Sequence, residues 1–215
     1  MSAANPTRPK PRGRPGQPKP RVDRDARGQA VLDAAVEVFA EKGLQAATMQ
    51  DVADRLGMAK ILVYRLYPSR QALIDALFGG ALARIEAAGA PPWGGYGSSL
   101  AGMIDMARAR PALFLLLLRD ARAAPEAAPW AAACDALLTR LGEPFIAAPP
   151  GAPEALQAAC RHAVRSFLPF FVQAWIAGIE RQDGMTDAAR IHWFGEIVRA
   201  WRTATREALG LSPAA

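Results

Sequence analysis

Cysteine and histidine are scarce in this chain. Its 215 residues hold two of each: Cys134 and Cys160 with no CxxC spacing, and His162 and His192 thirty positions apart. A disulfide framework or a zinc site needs a denser, more regular ligand set, so no metal is expected. Both cysteines read as small apolar residues in a reducing cytoplasm. With no Gly-rich phosphate loop and no metal-ligand cluster, no catalytic constellation can be assembled, so neither an enzyme nor a cofactor is expected. Long apolar runs are missing too. The most conspicuous, Leu113 to Leu118, is far too short to span a bilayer. The basic charges near the start are not followed by the apolar segment of a signal peptide. The expectation is a soluble, cytoplasmic protein without a membrane partner. Strand-like alternation of useful length and internal repeats are also absent, which leaves an all-α fold.

What is present is unevenly distributed. Hydrophobic residues make up 51% of the chain, ample for a buried core. The net charge of +6 belongs to one segment. Residues 1–22 carry Arg8, Lys10, Arg12, Arg14, Lys19 and Arg21 with no acidic residue, so the rest balances to zero. Six prolines in that stretch and almost nothing to bury predict a disordered basic arm. A cationic arm on a neutral body suits nucleic acid. An anionic membrane fits less well, because the arm has no apolar anchor and too much proline for an amphipathic helix.

From Asp23 the texture becomes helical. Val31, Leu32, Ala35, Val38 and Phe39 recur at helical spacing until Lys42-Gly43. Thr48 followed by Asp51 reads as a capping-box variant opening a helix from Met49 to Leu56. Gly57 ends it, a third helix runs from about Ala59 to Leu66, and Ser69 caps a fourth toward residue 88. Two short helices around a glycine turn, with small Ala53 at the crossing, meet the requirements of a helix-turn-helix. Val52, Leu56, Met58 and Val63 would seal its core. The second helix would then face base edges in a major groove.

The stretch Gln29 to Leu73 resembles the DNA-binding domain of TetR-family transcriptional regulators. Ala35, Phe39, Gly43, Thr48, Val52, Ala53, Gly57, Tyr64, Tyr67, Ser69 and Leu73 carry the likeness. The resemblance implies that Thr48 and Gln50 touch the DNA backbone, that Lys60, Ile61, Leu62 and Arg65 face the groove, and that Tyr64 and Arg70 bind phosphate. Two departures stand out. Ala59 replaces a residue that is commonly serine. The apolar pair Ile61 and Leu62 favours thymine methyl groups over hydrogen-bonded readout. In the arm, Pro11-Arg12-Gly13-Arg14-Pro15 matches the core of an AT-hook, whose arginines, here Arg12 and Arg14, lie along a narrow minor groove.

The chain thus divides into a basic arm (1–22), a three-helix DNA-binding domain (23–78) and a larger helical domain (79–215). In the last, helices are expected near 98–109, 111–123, 126–141, 153–182 and 186–209. The resemblance implies that this part binds a small-molecule effector and forms a homodimer. Met103, Met106, Phe114, Trp130, His162, Phe167, Phe170 and Trp175 are candidates for a hydrophobic pocket. Phe171, Phe194, Val198 and Trp201 are candidates for the dimer interface. The functional expectation is a sequence-specific regulator, a repressor released from double-stranded DNA by its effector. The alternative is a constitutive architectural DNA-binding protein without a ligand. A closed, fully packed C-terminal part would favour the second, and a large apolar cavity the first.

Overall fold

A computed structural model describes residues 21–89 and 94–211, with side chains from residue 24 onward. Most of the basic arm, with Arg12 and Arg14, lies outside the described residues. Among those described, the fold is entirely helical, as the sequence predicts.

Helix α1 (Arg21–Lys42) turns Val31, Ala35, Val38 and Phe39 into the core, one side of a 3.6-residue repeat. It ends at Gly43, whose φ of 83° needs a residue without a side chain. Helix α2 (Met49–Arg55) opens with a reciprocal cap. Thr48 Oγ1 accepts from the Asp51 amide at 3.2 Å, and Asp51 Oδ2 accepts from the Thr48 amide at 2.8 Å. Two amides that no helical carbonyl could reach are thereby satisfied. Gly57, at φ 61°, turns the chain into α3 (Lys60–Leu66). Ala59 stands at the start of α3 and leaves it without a side-chain cap. Helix α4 (Arg70–Gly89) begins where Ser69 Oγ accepts from the Ala72 amide at 3.0 Å.

At 20 residues α4 is about 30 Å long, and it runs unbroken through the expected boundary at 78/79. Helix α1 packs against it, as do α5 (Ser98–Arg108) and α7 (Ala128–Gly142). One rod therefore joins the three-helix head to the body. Between α5 and α7, a single helix over 111–123 is predicted. The chain instead changes pitch: α6 (Pro111–Leu115) widens to a π-helical turn at Leu116–Asp120 and tightens to a 3-10 turn at Ala121–Ala123. Leu113, Phe114, Leu116, Leu117 and Leu118 are all buried, so this stretch is enclosed on several sides.

Two long helices close the body, α8 (Glu154–Glu180) and α9 (Asp187–Ala208). Trp175 of α8 is buried with its indole N–H donating to the Met103 carbonyl at 3.0 Å, which pins α8 to α5. In the first turn of α9, Arg190 is buried and donates to Asp183 at 2.5 Å. That bond holds the Asp183 carboxyl down at about 2. Gly195 lets the loop before α5 lie on α9, since a Cβ there would come within 2.8 Å of the Tyr96 carbonyl oxygen.

Candidate nucleic-acid interface

Helix α3 is held by little and shows much. Val63 is fully buried and Leu66 packs partly against the core. On the other side Ile61 is 61% exposed, Leu62 39% and Tyr64 36%. Lys60 and Arg65 are exposed as well, and the Lys60 ammonium lies 5.8 Å from the centre of the Tyr64 ring. The five α3 residues singled out from the sequence thus share one outward surface, with cationic, aromatic and aliphatic groups side by side. Exposed apolar side chains on so short a helix contribute nothing to folding and suit contact with a partner.

The other expected contact residues are placed differently. The Thr48 hydroxyl is engaged in the α2 cap with Asp51. Asp51 also takes a bond from Lys42 at 2.5 Å, and these donors hold its carboxyl at about 2 instead of the usual 3.8. Gln50 lies exposed and donates to Asp54 at 2.6 Å. Arg70 is engaged by groups within the protein. Its Nε donates to the Ala47 carbonyl at 3.1 Å, its Nη2 to the Leu44 carbonyl, and its Nη1 pairs with Glu126 of the body. Partial burial lowers its pKa, and a phosphate would have to displace Glu126 to reach it. The cause is position: Arg70 is the first residue of α4, under the end of α1, where bare carbonyls attract a cation.

Glu126 and its neighbours were not legible as functional residues. Gln45 donates to the Ala123 carbonyl at 2.6 Å, Gln71 to the Glu126 carbonyl at 3.2 Å, and Trp130 Nε1 to Asp75 at 2.8 Å. The irregular stretch after α6 is therefore the strap by which the body grips the head. No local pattern announces it, since the partners are more than fifty positions apart in sequence.

The body contains a cavity of about 480 Å³ between the last turn of α4, the first turns of α5, the end of α7, and α8 and α9. Of the eight pocket candidates, Met103 and Phe167 line it. Phe114 and Trp175 are sealed in the core, and Met106 and half-buried Trp130 pack elsewhere. His162 is exposed beside Ser166, and half-buried Phe170 lies tilted against Trp193 at 5.4 Å and stacks on Phe194 at 5.7 Å. The four interface candidates, Phe171, Phe194, Val198 and Trp201, also line the cavity, and Phe194 and Val198 are buried within the subunit. The physical reason is that α8 and α9 are apolar over more than one face. The crossing of the helices, not the spacing, decides which rings turn inward. Trp193 and Ile197 take the outward positions, 42% and 38% exposed.

Comparisons with known proteins bear on the head by sequence and on the whole chain by fold. Residues 31–77 match the description of bacterial regulatory proteins, tetR family. The HTH-type transcriptional repressor KstR2 of Rhodococcus jostii is 34% identical over 59 residues, 27% of this chain and 29% of that protein. The HTH-type transcriptional activator FasR of Mycolicibacterium smegmatis is 41% identical over 57 residues, 26% of each chain. These matches span less than a third of the curated relatives' length. Solved structures share the fold over far more of the chain. Salmonella enterica GusR superposes with a TM-score of 0.58 at 19% identity, covering 85% of this chain and 95% of that one. FadR from Bacillus subtilis, solved in complex with stearoyl-CoA, gives 0.56 at 15% identity over 81% and 97%. The head of this chain, residues 31–77, thus matches the tetR family of bacterial regulatory proteins in sequence, and the whole helical chain shares its fold with these solved structures.

Proposed function

We propose that the protein is a homodimeric, sequence-specific DNA-binding transcriptional regulator that places α3 in the major groove. The observation that carries this reading is the outward surface of α3, where Ile61, Leu62, Tyr64, Lys60 and Arg65 stand exposed beside a fully buried Val63. Apolar Ile61 and Leu62 suit thymine methyl groups, while Lys60 and Tyr64 suit the flanking phosphates. Trp193 and Ile197, exposed on α9 beside Phe170, supply the apolar face that a second copy would cover. A two-fold pair then sets two α3 helices on successive turns of the duplex, about 34–36 Å apart.

The finer reading is a repressor that leaves its operator when a small hydrophobic effector binds. The cavity supports it, because an architectural protein has no use for a hole of about 480 Å³ in its body. A ligand that prefers a body conformation with wrongly spaced heads lowers DNA affinity by that difference in preference. The relatives include a repressor and an activator, so the sign of regulation is tested by a reporter fused to the operator. The main test is footprinting of the full chain on genomic fragments, including the region upstream of its own gene. The expected result is a protected inverted repeat. Diffuse protection without symmetry would transfer the assignment to an architectural protein.

A further inference from the structure

The walls of the cavity say what kind of molecule it takes. Five aromatic side chains line it: Phe145, Phe167, Phe171, Phe194 and Trp201. Phe167 and Trp201 lie stacked, with centroids 4.3 Å apart and planes 23° from parallel. Among the described residues, not one that lines it is Asp, Glu, His, Lys or Arg. The side-chain polar groups in the wall are the hydroxyls of Ser98 and Ser99, and Ser98 already donates to the Gly95 carbonyl at 2.7 Å. Beyond the wall, the Arg202 guanidinium gives Nε to the Phe145 carbonyl at 2.9 Å and Nη1 to the Tyr96 hydroxyl at 3.0 Å.

We propose that this cavity binds a single uncharged, ring-containing molecule, held by aromatic contact and at most one hydrogen bond to Ser99. This inference rests on the effector reading above and narrows it. Burying a carboxylate, sulfonate or ammonium among these side chains would strip its water without returning a counter-charge. A neutral ring system loses little hydration and gains contact with both faces of the Phe167–Trp201 pair. The volume lies within the range that holds a drug-sized ligand.

A matched pair of dyes tests the claim on the full chain. N-Phenyl-1-naphthylamine and 8-anilino-1-naphthalenesulfonate share one aromatic body and differ by a fixed negative charge. The expected result is saturable binding of the neutral dye at one site per chain, with the sulfonate at least about tenfold weaker. Ser99→Trp fills the cavity from α5 and is expected to lower neutral-dye affinity by about tenfold or more, with unfolding by circular dichroism reported alongside. Val198→Phe, filling it from α9, serves the same purpose if the first variant fails to fold. Equal or tighter binding of the sulfonate, no saturable binding of the neutral dye, or unchanged binding in a folded filling variant would each overturn the assignment. Operator binding measured with the neutral dye at saturation separates the two readings. Unchanged DNA affinity beside a filled site would remove release by an effector and leave the ligand class standing.

Discussion

The head and the body share α4 but are built by different rules. In the head, several helix ends are set by groups only a few positions away: Thr48 with Asp51 before α2, Gly57 after it, and Ser69 before α4. In the body, long helices are apolar on several sides, and order comes from contacts between distant segments such as Trp175 with Met103 and Arg190 with Asp183. A structure built from local rules closes tightly, and in the head the exposed large apolar side chains gather on α3. A structure built from distant contacts can leave a hole.

The largest test of that contrast is Trp175→Ala. Losing a buried indole and its bond to the Met103 carbonyl is expected to cost about 3–5 kcal/mol in urea denaturation. Because α4 runs without a break between the two regions, a single transition should shift as a whole. Two transitions, with the earlier one alone moving, would instead make the head an independent unit and restore the boundary at 78/79.

Next comes the outward surface of α3. Replacing Lys60 and Tyr64 together with alanine is expected to lower operator affinity by at least about tenfold, roughly 1.4 kcal/mol, while leaving thermal unfolding in place. Both side chains are exposed and close little of the core. Untouched duplex affinity in that double variant, read by fluorescence anisotropy, would remove α3 from the interface.

The same contrast explains what could be read from the sequence. Helix α2, its cap and the turn at Gly57 were legible because each rests on residues within a few positions of one another. The long α8 was legible too, even with Pro169 inside it, because its apolar spacing continues on both sides of the proline. Which rings of α8 and α9 face inward was not legible. Phe170 and Phe171 are adjacent in sequence, yet one packs against Trp193 and Phe194 outside the cavity wall and the other lines the cavity. Arg70 likewise carries the charge of a phosphate ligand, but its neighbours in space, Leu44, Ala47 and Glu126, set its direction.

A smaller effect compares two carboxylates, one in each region, that are both held at about 2. A depressed native pKa gives stability that is complete above the ordinary value of 3.8 and is lost as pH falls toward 2. Both Asp51→Asn and Asp183→Asn should therefore flatten the acid limb of the unfolding curve. At neutral pH they should part. Lys42, the partner of Asp51, is half exposed and returns to water at little cost. Arg190 is 3% exposed, so without the Asp183 charge it stays buried with a weakened partner. The melting temperature should therefore fall further in Asp183→Asn. Equal falls would mean that the Arg190 environment is more solvated than its burial implies.

The smallest expected effect concerns the basic arm, and it asks whether the head reads DNA by α3 alone. Six cations precede Val22 with no acidic residue among them. If they meet phosphates or a narrow minor groove, they release condensed counterions on binding, and each lost phosphate contact lowers the log–log salt slope by about 0.9. Removing residues 1–20, which include Arg12 and Arg14, should weaken operator binding at low salt and flatten its salt dependence. On the proposed reading, in which α3 carries the base contacts, the footprint should stay centred on the same inverted repeat. An unchanged slope would confine DNA contact to the helical head. A shifted footprint would mean that the arm, through Arg12 and Arg14, selects sequence as well as adding charge.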